Sequence, residues 1–220
     1  MREPYSMTPK HPRPSPEATG VVGVVIAGGR STRFGGEKAV AGLAGKPLLL
    51  WATARLARSC TVVAVNARPD TEAEALARAE GLTVLHDAPG DPAGPLSGVK
   101  AALHWAQKRG ANAIAVSPCD VPLLPESVFD RLIEAADTGA AMAETAEGHQ
   151  PQCAVWPVSA LPTLTAALTE GAHPPTWLML ERIGAARVMF SPPEAFANIN
   201  TRLDLAAIAG RLERGEIHLP

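Results

Sequence analysis

The sequence predicts an α/β fold: a three-layer α/β/α sandwich with a mostly parallel sheet. Three observations carry that expectation. Short β-branched runs alternate with helix-like stretches after residue 20. The runs are apolar throughout rather than alternating, as in strands covered on both faces. Proline stands just ahead of three of the helical patterns, where the missing N–H costs nothing.

The first strand is expected at Val21–Ile26, with others at Thr61–Val65, Leu82–His86, Ala113–Ser117, Ala140–Ala143 and Cys153–Trp156. Leu48, Trp51, Ala52 and Leu56 follow helical spacing behind Pro47, which suits a first-turn position. Leu96, Val99, Leu103 and Ala106 repeat the pattern behind Pro95, and Val128, Leu132 and Ala135 behind Pro125. At 220 residues, 46% hydrophobic and 19% charged, the chain is long enough for one domain with a sizeable core. That domain is expected over 20–220. Residues 1–19 hold five prolines (Pro4, Pro9, Pro12, Pro14 and Pro16) and almost no apolar residues, so a disordered tail is expected there. It lacks the apolar core of a signal peptide, and no run reaches the ~18 residues of a membrane span.

A net charge of −2 argues against broad nucleic-acid binding. Three cysteines (Cys60, Cys119 and Cys153) without a CxxC suggest neither zinc nor a disulfide framework, and a reducing cytoplasm is expected. The six histidines show no metal spacing.

The stretch AGGRSTRFGGEK, residues 27–38, directly follows the first strand. Gly28, Gly29, Gly35 and Gly36 let backbone N–H groups approach an anion, and Arg30, Arg33 and Lys38 add positive charge. A phosphorylated ligand is therefore expected. This is not a Walker loop: Gly45-Lys46 is followed by Pro47, and Val40 stands where the first glycine belongs. The dinucleotide fingerprint GxGxxG is also absent.

Pro118-Cys119-Asp120-Val121-Pro122 follows the Ala113–Ser117 run, which puts Asp120 at a strand exit on the same rim. A carboxylate there can hold Mg²⁺, which takes one or two carboxylates plus substrate phosphates. Gly94-Pro95-Leu96-Ser97-Gly98 opens a helix whose first N–H groups can take a phosphate or a base edge. Asn66 and Asp87 stand at two further strand exits, as candidates for base or ribose or as turn formers. In Asn198-Ile199-Asn200-Thr201, the asparagines are expected to share one side. Thr201 or Asn200 can also act as N-cap of a helix starting near Leu203.

Taken in order, AGGRSTRFGGEK, AGKPLLL, GPLSG, PCDVP and NINT resemble the molybdenum cofactor guanylyltransferases, over roughly residues 20–210. The resemblance implies a Rossmann-like sheet of the nucleotide-diphospho-sugar transferase type. It implies GTP and molybdopterin or its molybdenum form as substrates, and Mg²⁺ as cofactor. Ile26, Ala27, Gly28, Gly29, Arg33, Lys38, Asn66, Asp87, Gly98 and Asp120 would then serve the nucleotide. Lys38 and Asp120 would carry the chemistry, with Asp120 on the metal. Gln150, Asn198 and Asn200 would face molybdopterin. Contact with other molybdenum cofactor proteins is a further implication; nucleic acid and membrane are not.

The chain departs from the family pattern at Phe34 (for Met), Glu37 (for Asp), Arg202 (for Pro) and in the Gly171–Pro175 segment. Other readings are a molybdopterin cytidylyltransferase, a sugar-1-phosphate nucleotidyltransferase or a non-catalytic nucleotide-binding regulator. The cytidylyl relatives usually carry AAG and a DQP-like turn, against AGG and PCD here.

Overall fold

The computed structural model describes residues 20–29, 33–169 and 173–219. The expected proline-rich tail, Arg30 and Gly171 lie outside them.

Seven strands form one sheet in the order β5-β4-β1-β6-β8-β7-β9. They are β1 (Val21–Ile26), β4 (Val63–Asn66), β5 (Thr83–Leu85), β6 (Ala113–Pro118), β7 (Ala141–Thr145), β8 (Gly148–Pro157) and β9 (Ala186–Met189). β8 alone runs against its neighbours, so the sheet is mostly parallel as expected. Gly42–Leu43 (β2) and Lys46–Pro47 (β3) make a separate hairpin. The helices are α1 (Leu48–Leu56), α2 (Glu72–Ala79), α3 (Pro95–Lys108), α4 (Val128–Ala136), α5 (Leu161–Thr169), α6 (Thr176–Arg182) and α7 (Arg202–Glu213).

The strand period of two sorts side chains into two layers. Val21, Val25, Val63, Val65 and Ala115 face one layer, with Leu49 and Leu56 of α1, Ala73 and Ala77 of α2 and Phe129 and Leu132 of α4. Val22, Val24, Ile114, Val116 and Trp156 face the other, with Leu96 and Leu103 of α3, Leu164 of α5 and Leu180 of α6. Gly23 is small for a reason. A Cβ there would lie 3.1 Å from Leu56 Cβ and 3.2 Å from Val63 Cγ2, tighter than ordinary packing, so the missing side chain lets α1 settle onto β1.

The chain leaves β1 through α1 to β4 and through α2 to β5. It then crosses to the other face in α3 and returns to β6, on the opposite side of β1. Neighbouring strands whose connections depart in opposite directions leave a crevice at their C-terminal ends. Here that crevice lies between β1 and β6.

Two local expectations are corrected. Pro47 does not enter the first turn of α1; it closes the small hairpin and stands at the N-cap, because Lys46–Pro47 pairs with Gly42–Leu43. The Cys153–Trp156 run is the second half of a ten-residue strand, whose polar first half (Gly148–Gln152) looks like a loop in sequence. No helix among the described residues is long and apolar enough to cross a membrane.

Candidate active site

Three neighbouring strands end level with one another. Ile26 pairs with Asn66 on one side and with Pro118 on the other, and Ala27 N–H donates to Asn66 O at 2.8 Å. The glycine loop, Asn66 and the Pro118-Cys119-Asp120 turn therefore meet at a single rim. A cavity of about 560 Å³ opens there. Its lining includes Ile26, Ala27, Gly28, Gly29, Arg33, Lys38, Asn66, Asp87, Asp120 and Asn200, ten of the residues singled out in sequence.

The C-terminal part of the loop is anchored by its side chains. Phe34 is buried against Leu43, Leu48, Ile199 and Ile208, a small third core under the hairpin and α7. Glu37 Oε2 accepts the Ala73 N–H at 2.8 Å, satisfying an otherwise unpaired donor in the first turn of α2. Lys38 then reaches across to Asp120, Nζ to Oδ2 2.7 Å, with side chains 11% and 18% exposed. Asp120 is fixed through its backbone as well, its carbonyl accepting the Ile199 N–H at 2.8 Å. Two of the departures from the family pattern touch: the Arg202 guanidinium lies 5.4 Å from the Phe34 ring centroid, within cation–π range.

Asn66 lines the cavity and also makes contacts within the protein. It is buried, and its Nδ2 donates to Leu85 O at 3.3 Å and Asp87 Oδ1 at 2.9 Å. Both amide hydrogens are thus spent on the protein, and Asn66 aims the Asp87 carboxylate. Gly98 is not in the cavity lining. It lies behind Asn66, where an added Cβ would be 2.4 Å from Asn66 Oδ1. Its smallness makes room for that amide.

The acceptor candidates divide. Asn200 lines the main cavity, whereas Gln150 and Asn198 line a smaller one of about 190 Å³ beside it. The two asparagines therefore open onto adjoining cavities that share Pro118, Pro151 and Gln152. Thr201 is the N-cap of α7, in a capping box with Asp204: Asp204 Oδ2 accepts the Thr201 and Asn200 N–H groups, both at 2.8 Å. Those two bonds, Asn200 first, hold the Asp204 carboxyl below its ordinary range.

Arg68, Thr71, Gln152 and Thr176 also line the main cavity and were not singled out. Arg68 follows β4 on the same rim, so the strand-exit rule that flagged Asn66 could have reached it. Thr71 and Thr176 arrive on separate elements, with no local signal. His173, from the segment that departs from the family pattern, packs on Gly94, its Nε2 2.0 Å from where a Gly94 Cβ would be.

No group of three or more His, Cys, Asp or Glu among the described residues is arranged to hold a metal by itself. Asp120 and Asp87 are the aspartates of the cavity lining, and Asp120 could give a divalent cation one protein ligand. Cys119 beside it is half-buried in the cavity wall, and its thiol is pushed up to about 12, by burial first and by the Asp120 charge, with Lys38 offsetting part, which disfavours the thiolate at neutral pH.

The sequence pattern of the MobA-like NTP transferase domain matches residues 23–183. A molybdenum cofactor guanylyltransferase of Cereibacter sphaeroides is 37% identical over 193 residues, covering 87% of this chain and 97% of that protein. One from Rhodobacter capsulatus is 35% identical over 198 residues, covering 88% and 97%. Among solved structures, molybdopterin-guanine dinucleotide biosynthesis protein A from Archaeoglobus fulgidus superposes with a TM-score of 0.70 at 23% identity, covering 87% of this chain and 98% of that one. A 4-diphosphocytidyl-2C-methyl-D-erythritol synthase from Anaerococcus prevotii gives 0.69 at 12%, covering 88% and 96%. These likenesses establish the fold as that of the nucleotide-diphospho-sugar transferases. The matched pattern and the close relatives establish more: the chain belongs to the MobA-like nucleotidyltransferases, in the family of the molybdenum cofactor guanylyltransferases.

Proposed function

We propose that this chain transfers GMP from GTP to the terminal phosphate of molybdopterin, or of its molybdenum form, with release of pyrophosphate. The observation that carries the reading is the Lys38–Asp120 pair, a cation and a carboxylate 2.7 Å apart on the rim where the glycine loop opens.

Both substrates are anionic, and their repulsion is the first obstacle. Lys38 draws the nucleotide phosphates in and steadies charge on the α-phosphate as the bond order changes. Arg33 and Arg68 line the same cavity and add to that field. Asp87, aimed by Asn66, offers a carboxylate to sugar hydroxyls or base N–H groups. An oxygen of the acceptor phosphate attacks the α-phosphorus; the new P–O bond forms as the bond to the β-phosphate oxygen breaks, and pyrophosphate departs. No general base is needed, because a phosphate monoester is ionised at neutral pH. The protein therefore contributes positioning and charge rather than covalent chemistry. Asp120 would hold Mg²⁺, which when bound neutralises the phosphates and the leaving group. We place the reaction in the cytoplasm, where three free thiols remain reduced.

The test is a thermal-shift comparison of GTP, CTP, ATP and UTP with and without Mg²⁺, followed by pyrophosphate release in the presence of molybdopterin. The expected result is stabilisation by GTP above the others, enhanced by Mg²⁺, and release that requires the acceptor. Preference for CTP would move the chain to the cytidylyl branch. Binding without release would make it a regulator.

A further inference from the structure

The connection between β5 and α3 forms part of the main cavity's wall at both of its ends. Asp87 stands at its start and Ala93, Gly94 and Pro95 at its end, and all four line the cavity. Little packing holds the stretch between them. Ala88, Pro89, Gly90, Ala93 and Gly94 are exposed, and only Asp91 and Pro92 turn inward. Gly90 and Gly94 take positive φ, +88° and +156°, so the loop carries two residues of the type that loses most conformational freedom on ordering. A loop so composed does not fix itself.

The inward pair is where it is fastened. Asp91 Oδ1 forms an ion pair with Nζ of Lys100, on the second turn of α3, with side chains 11% and 12% exposed. Ser97, buried on the same helix, donates from Oγ to Pro92 O at 2.6 Å. The Asp91 N–H donates to Ala88 O at 3.1 Å and closes a tight turn. Asp91 Oδ2 is out of contact with solvent and has no hydrogen-bond partner among the described residues. A buried ion pair with one oxygen left over is a costly way to hold a surface loop, and two apolar side chains of similar volume often hold as well or better. What charge adds is direction: one nitrogen must meet one oxygen, which picks one loop conformation out of many. Neither Lys100 nor Asp91 lines the cavity, so the pair acts from behind the wall.

We propose that Lys100 is a positioning residue for the nucleotide: through Asp91 it sets loop 88–94, so that Asp87 and the wall at 93–95 stand in place before a nucleoside triphosphate arrives. The nucleotide then binds without the cost of ordering that wall. Unclamped, the loop would spread over many conformations, and apparent affinity would fall with the fraction that is competent. Lys38 and Asp120 sit on other elements and keep their geometry. The inference rests on the guanylyl-transfer reading for the identity of the nucleotide, GTP; the clamp itself would serve any nucleoside triphosphate.

The experiment compares the wild type with Lys100→Met, which keeps the apolar stem and removes the charge, and with the double variant Lys100→Met/Asp91→Leu, which leaves no unpaired charge behind the wall. GTP affinity is read by calorimetry, KM and kcat by pyrophosphate release, stability by thermal unfolding, and loop order by amide hydrogen exchange over residues 88–94. Lys100→Met is expected to bind GTP roughly tenfold more weakly, as for a wall that is competent about one-tenth of the time. The KM for GTP should rise with it, while kcat at saturating GTP stays near wild type. The double variant should regain the wild-type melting temperature yet keep the weakened affinity, with faster exchange over 88–94 that GTP slows. A merely structural pair would give back affinity and stability together. That result overturns the proposal, as does wild-type affinity in both variants or a fall in kcat at unchanged KM. If Lys100→Met does not fold, the double variant decides alone. A wild type that prefers CTP, with CTP affinity lost in the same ratio in the variants, would sink guanylyl transfer and leave the clamp standing. Guanylyl transfer by the wild type that neither variant alters would do the reverse.

Discussion

Lys38 and Asp120, 82 positions apart in the chain, meet at 2.7 Å on the sheet rim, in the crevice between β1 and β6. Neither is solvent-flooded, so each partly offsets the cost of holding the other's charge out of water. On the proposed reading, a nucleotide arriving at this pair would exchange one anionic partner of Lys38 for another.

Asp120→Asn keeps the shape and removes the charge. Turnover should fall by about 10²–10³, the loss seen when one key electrostatic group is removed from an active site. Guanylyl transfer measured at saturating GTP and Mg²⁺ checks this, and near-normal turnover would take Asp120 out of the chemistry.

Lys38→Ala should weaken GTP affinity, read by calorimetry. It also strips Asp120 of its cation, so the variant should lose thermal stability even without nucleotide. Unchanged GTP binding would remove Lys38 from the site.

Gly98→Ala puts two effects in opposition. Alanine in a helix interior is favoured over glycine by about 1 kcal/mol. Here the new Cβ would be 2.4 Å from Asn66 Oδ1 and 3.1 Å from Ile26 Cδ1, and Asn66 is pinned by two hydrogen bonds. Overpacking of about 1–3 kcal/mol should win, giving net destabilisation in thermal unfolding. GTP affinity should fall too, because displaced Asn66 no longer aims Asp87. Adding Asn66→Ala should restore stability but not affinity, a coupling that a double-mutant cycle reads directly.

The α7 capping box gives a pH-dependent signature. The Asp204 carboxyl is held below its ordinary 3.8 by the N–H groups of Asn200 and Thr201. A carboxyl depressed in the folded state adds stability that is present above the unfolded value and lost as pH falls through the folded one. The melting-temperature gap between wild type and Asp204→Asn should therefore hold at pH 7 and close below 3.8. A gap that widened on acidification would contradict the cap.

The thiols should resist alkylation. Burial pushes Cys60 and Cys119 up to about 12, and Cys153 higher still, so all three stay neutral at pH 7. Mass spectrometry after iodoacetamide should find them unmodified in the folded protein and modified in denaturant. Rapid labelling of Cys119, half-buried in the cavity wall, would mean that its thiolate is less disfavoured than burial implies.

What the sequence determined by itself was the set of elements and the chemistry attached to them. Val21–Ile26, Ala113–Ser117 and the helix behind Pro95 declare themselves through local periodicity, and AGGRSTRFGGEK and PCDVP declare charge at strand exits. Periodicity is a property of neighbouring residues, so it can be read without the fold. It fails where polar residues form a strand, as in the first half of β8, because pairing there is decided by Thr145 and its neighbours across the hairpin. Only tertiary structure decided that Asn66 serves Asp87, that Gly98 makes room for Asn66, and that Asn198 and Asn200 line separate cavities. It also brought Phe34 under Arg202 and Trp177 onto His149. Each of these depends on segments far apart in the chain, and such an arrangement exists only once sheet order and helix placement have fixed which side chains face each other.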